Sequence, residues 1–145
     1  MINNASGLFI KKTRYNSSQK GNMLTMENMK SKQMAQLVIQ ALEDKKAEDI
    51  KVIDISEVSV IADYFIIANG TNRSQIQALA DNVDETLGKA GFPLKQMEGY
   101  QNANWVLLDF EDVIVHVFDK ENRLFYDLER IWRDGKFVDI SALNQ

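Results

Sequence analysis

The chain holds one imidazole, His116, and no thiol, so nucleophilic or metal chemistry has few side chains to draw on. The lack of cysteine excludes disulfide scaffolding, thiol catalysis and cysteine-ligated zinc or iron–sulfur clusters. His116 stands between Val115 and Val117 in an apolar run, a setting that suits a hydrogen-bonded structural or surface role better than a general base. No serine sits on a GxSxG elbow, and neither GxxxxGK(S/T) nor GxGxxG occurs, which removes the usual sequence grounds for acyl transfer and phosphate-loop nucleotide binding. The most chemical of the motifs is NGTNRS, residues 69–74, a glycine turn between an apolar run and a helical pattern. Its backbone N–H groups, assisted by Arg73, could hold an anion, and this supports an alternative reading as a nucleotide-binding or nucleotidyltransferase-like enzyme working at the Gly70 turn. Glycine at such a turn also has a purely geometric use. Metal-dependent nucleotidyl transfer further needs carboxylates side by side on one strand face. No Asp-x-Asp pair lies on a predicted strand, and Asp81 and Asp84, three residues apart on a helix, fit a solvated face.

The elements that must carry these residues follow from hydrophobic periodicity. From Ser31, a candidate N-cap, Met34, Leu37, Val38, Ala41 and Leu42 line one helical face. A strand is expected from Ile50 to Ile55. The run DYFIIA, residues 63–68, is short, aromatic, β-branched and continuously apolar, the pattern of a central strand covered on both sides. A second helix runs to Ala90 with Ile76, Leu79, Ala80, Val83 and Leu87 on one stripe and Gly91 as its stop signal. After Pro93 come a short strand near Leu94 to Met97, a loop, and two apolar runs, 105–110 and 113–118, separated by Glu111-Asp112. The segment ENRLFYDLERIWRDG predicts one helix with Leu124, Leu128 and Ile131 on a common side and Phe125 and Trp132 adjacent.

At 145 residues and 45% apolar composition the chain suits one domain. Residues 29–133 form the expected domain, with a short C-terminal tail at 134–145. The net charge is −4, yet residues 1–26 contain Lys11, Lys12, Arg14 and Lys20 and no acid, so residues 27–145 carry −8. An acidic domain repels phosphate backbones, which favours a basic protein over nucleic acid as partner even though Tyr100 and Trp105 could stack on bases. The first 28 residues read as a disordered leader. Their basic composition resembles an organellar transit peptide, and an expression remnant or an upstream start is the plainer reading. No apolar stretch approaches a membrane span.

If Glu111-Asp112 is a two-residue turn it fixes the hairpin register, whereas a longer loop, which Glu-Asp also allows, would shift the register and move every side chain to the other face. In the two-residue register Val106, Leu108 and Phe110 oppose Val113, Val115 and Val117 on a wholly apolar face that must be core. The other face sets Trp105, Leu107 and Asp109 against Phe118, His116 and Ile114. Such a mixture fits either a recognition surface or a face covered by a helix, with Asp109 capping the turn.

Two strings then become recognisable: ADYFIIANGTNRSQIQALAD, residues 62–81, and EGYQNANWVLLDFEDVIVHVFDKENRLFYDLERIW, residues 98–132. Together they resemble the hallmark blocks of the Iojap-like ribosomal silencing factors, and the resemblance covers roughly residues 29–133. It implies an α/β (α+β) domain, a mixed sheet of about five strands flanked by helices, with nucleotidyltransferase-like topology but no catalytic carboxylates. It implies a cytoplasmic protein that is not an enzyme, needs no cofactor or metal, and forms homodimers. Its partner would be the large ribosomal subunit, bound through the basic large-subunit ribosomal protein fourteen. Its action would be to block joining of the subunits and so repress translation when nutrients are scarce. The partner-binding residues implied are Trp105, Leu107, Asp109 and His116 from the hairpin, and Tyr126, Glu129 and Trp132 from the following helix. One departure is Glu111, where the family often has glycine in the turn.

Overall fold

The computed structural model describes residues 20–143; most of the expected leader, residues 1–19, lies outside the described residues. Helix α1 spans Lys20–Asp44, followed by strands β1 (Glu48–Asp54) and β2 (Tyr64–Gly70) and helix α2 (Arg73–Lys89). Three strands come next: β3 (Gln96–Glu98), β4 (Trp105–Asp109) and β5 (Val113–Asp119). Two short helices, α3 (Lys120–Tyr126) and α4 (Leu128–Ile131), lead to strand β6 (Lys136–Val138) and helix α5 (Ile140–Leu143).

The six strands form one mixed sheet in the order β3-β4-β5-β2-β1-β6, with β2 and β5 parallel and every other neighbouring pair antiparallel. The apolar run of β2 therefore sits inside the sheet, which explains why it shows no polar alternation. On one face α1 and α2 pack Met34, Val38, Leu42, Ile76, Leu79, Val83 and Leu87 against Val106, Leu108, Val113, Val115 and Val117. On the other face a second core gathers Ile53, Phe65, Ile67, Trp105, Leu107, Ile114 and Phe118 beneath Leu128, Tyr126 and Trp132.

Three expectations need correction. Among the described residues the helix expected from Ser31 already spans Lys20–Asp44, reaching into the stretch assigned to the leader, and Ser31 is not its cap. Ser31 is buried mid-helix and its hydroxyl donates to the carboxylate of Asp63, so a polar side chain that resembled a start signal is instead a tertiary tie. The single helix expected over residues 121–135 breaks at Asp127, which adopts φ 48°. Aspartate tolerates this left-handed backbone better than most residues. The segment expected as a tail supplies β6, whose Val138 and Phe137 pair with Val52 and Ile53 of β1. This is the sixth strand, and it was hidden because three residues show no periodicity.

The strap over the second sheet face

The hairpin register is the one the two-residue turn dictates: Trp105 pairs with Phe118, Leu107 with His116 and Asp109 with Ile114. Glu111 takes φ 76°, the backbone that glycine would favour. Asp109 supports it, accepting the Glu111 N–H at 2.7 Å. The side chain of Asp109 is thus committed to the turn, and it does not project as a contact group.

The expected contact residues of the hairpin are not on the surface. Trp105, Leu107, Asp109 and His116 are each at most 4% exposed, because α3 and α4 cross this face as a strap. Tyr126 lies against Trp105 with ring centroids 4.6 Å apart, and Trp132 meets Phe65 edge-on at 4.9 Å. Trp105 Nε1 donates to His116 Nδ1 at 3.0 Å. Burial alone pushes the imidazole pKa down to about 3, so the ring is neutral near pH 7 and offers no charge to a partner.

What holds the strap is Arg123, buried although charged. Its guanidinium donates to the Asp49 carbonyl and the Asn69 side chain, and pairs with Glu129 at 3.2 Å and with the Asp49 carboxylate at 3.5 Å. One side chain thereby joins β1, β2, α3 and α4. A planar fork suits several acceptors at once, which an ammonium does poorly. Asp119 starts the strap by accepting the Asn122 N–H at 2.8 Å as N-cap.

The break at Asp127 decides what the strap shows to solvent. Only Leu128 of the expected apolar side turns inward; Leu124 is 76% exposed, Phe125 78% and Ile131 53%. These three are the residues sequence reasoning missed, since an unbroken helix would have buried Leu124 and Ile131 beside Leu128. Tyr126, Glu129 and Trp132 are half-buried at the rim. Glu48, Asp49, Asp127 and Glu129 line a cleft of about 440 Å³ beside Leu124, together with Asn69, Lys120 and Arg123. Leu124 thus stands beside an acidic cleft, while Phe125 and Ile131 are exposed on the same strap.

The NGTNRS turn is occupied by its own side chains. Asn72 caps α2 by accepting the Gln75 N–H at 2.8 Å, and Gln75 Oε1 accepts the Thr71 N–H at 2.6 Å, a reciprocal capping arrangement. Gln75 Nε2 also donates to the carbonyls of Lys45 and Lys46 at the end of α1. A Cβ on Gly70 would lie 2.8 Å from Ile76 Cγ1, so the glycine serves close strand–helix packing. Among the described residues no group of three or more His, Asp or Glu is placed to hold a metal ion, and no helix is long and apolar enough to cross a membrane.

The family model for the ribosomal silencing factor during starvation, RsfS, matches residues 28–145. The chain belongs to the RsfS family. The match extends past residue 133 and so takes in β6 and α5. The ribosomal silencing factor RsfS of Bacillus subtilis is 40% identical over 118 residues, 81% of this chain and all of that protein. That of Halalkalibacterium halodurans is 38% identical over 115 residues, 79% of this chain and 98% of the relative. Among solved structures, a Chromobacterium violaceum protein matches with a TM-score of 0.68 at 38% identity, covering 69% of this chain and 83% of that one. Family membership rests on sequence, and the mixed sheet flanked by helices agrees with it.

Proposed function

We propose that the chain is a non-enzymatic factor that docks on the large ribosomal subunit through the α3–α4 strap and thereby blocks joining of the small subunit. The observation that carries this reading is the exposure of Leu124, Phe125 and Ile131 on one short segment. Large apolar side chains grouped on a surface mark a binding site, and aromatic anchors dominate such interfaces. The carboxylates of Asp49, Asp127 and Glu129 stand beside Leu124, paired within the chain to Arg123 and Arg130, and the −8 carried by residues 27–145 favours a basic protein surface. Large-subunit ribosomal protein fourteen, the partner implied by the family resemblance, fits that chemistry. Tyr126, Glu129 and Trp132 stand at the rim of the contact, while Trp105, Leu107, Asp109 and His116 form the platform beneath it.

The action needs no bond-making. A 16.6 kDa body held on the joining face occupies volume the other subunit must enter, so affinity and placement determine the effect. A cytoplasmic setting and repression of translation in starvation follow from the same reading. Co-sedimentation tests it: the full chain travels with isolated large subunits and not with small ones, and failure to pellet with large subunits at micromolar concentration refutes it.

A further inference from the structure

His116 is the one imidazole of the chain, and its surroundings are hard to explain by stability. It accepts at Nδ1 from Trp105, which places the ring proton on Nε2. Among the described residues Nε2 has no hydrogen-bond partner. An unpaired buried donor is destabilising, and an apolar pair of similar shape would avoid it. The hydrogen bond does give one thing an apolar pair would not: a fixed direction for the indole. Trp105 stacks on Phe118 at 5.0 Å and 26°, and its ring meets Tyr126 at 4.6 Å. Tyr126 in turn meets Phe125 edge-on at 5.1 Å and 88°. A continuous path of rings runs from a buried imidazole to the most exposed aromatic side chain of the strap.

We propose that His116 is a positioning residue for the docking strip, setting the Trp105 indole so that Tyr126 holds Phe125 in the pose that meets the partner. The proposal rests on the docking reading above. Ordering Phe125 during folding removes that cost from the binding step.

The test compares His116→Leu with His116→Asn in the full chain. The Asn amide oxygen lies where Nδ1 lay and keeps the acceptor, although Asn fits a buried strand poorly. The expected result is that both variants melt lower, His116→Leu because it leaves the buried Trp105 Nε1–H without an acceptor, yet His116→Asn binds large subunits as the wild type does while His116→Leu binds about fivefold more weakly. In a Phe125→Ala background His116→Leu costs nothing further, a coupling that a merely structural role would not produce. Equal binding by wild type and His116→Leu, or an undiminished loss in the Phe125→Ala background, overturns the proposal. If His116→Leu fails to fold, the Trp105→Phe, His116→Leu double variant, which removes both polar partners, takes its place, with the same expected loss of binding. If the wild type ignores large subunits, the docking reading falls and positioning is judged alone by NMR. Tyr126–Phe125 ring cross-peaks present in wild type and His116→Asn and lost in His116→Leu support it, and their persistence in His116→Leu overturns it.

Discussion

Arg123 pairs with Glu129 at 3.2 Å across the kink at Asp127, so the two halves of the strap are joined by the same side chain that ties them to β1 and β2. Replacing Arg123 with Met leaves the Asn69 and Glu129 side chains without their donor in a largely buried setting. Loss of charge-assisted hydrogen bonds of this kind costs about 2–3 kcal/mol. Denaturant unfolding of Arg123→Met shows that loss, and Arg123→Lys recovers little of it because a single ammonium cannot reach all the acceptors.

The strap's outer face predicts the opposite pattern. Phe125→Ala and Ile131→Ala remove exposed side chains and leave stability within about 0.5 kcal/mol. Large-subunit affinity in a sedimentation titration falls about tenfold or more for Phe125→Ala, near 1.4 kcal/mol. Trp105→Ala reverses the balance, lowering the melting midpoint strongly because it empties the centre of the second core.

The hairpin turn carries a removable strain. Glu111 holds φ 76° and its side chain makes only an exposed pairing with Lys95 at 3.4 Å, worth little. Glu111→Gly relieves the left-handed backbone and raises stability by roughly 0.5–1 kcal/mol. A higher urea midpoint with an unchanged slope is the expected outcome.

His116 sets a pH dependence whose sign is fixed by its environment. Its pKa falls from 6.5 to about 3 on folding because burial penalises the charged ring, so between those values the unfolded chain binds the extra proton. Stability is fully present above about pH 6.5 and declines as pH drops through that window, by at most ~1.4 kcal/mol per pH unit from this group. His116→Leu flattens the slope between pH 6.5 and 5, where few carboxylates titrate, and parallel wild-type and variant curves there would contradict the assignment.

Much of the sheet was legible because its signals are strong and local. The buried run of β2 and the alternating faces of β4 and β5 predict their own pairing, and Val106 opposite Val117 follows from the turn alone. The long stripe of α2 was equally plain. The strap was not: Asp127 carries no sequence mark of a left-handed turn, and without that kink Leu124 and Ile131 read as core. For the same reason the sequence left Trp105, Leu107, Asp109 and His116 divided between a recognition face and a helix-covered one, since the helices that cover them are too short to announce which way they turn. The buried Arg123 was invisible too, because its partners Asp49 and Asn69 lie 74 and 54 residues away.

Subunit joining tests the central claim most directly. Large subunits preincubated with excess protein, then mixed with small subunits and followed by light scattering, fail to form the joined particle, and Phe125→Ala restores joining at the same concentration. Full joining at saturating wild-type protein that is demonstrably bound to the large subunit would contradict the claim that it works by occupying the joining face.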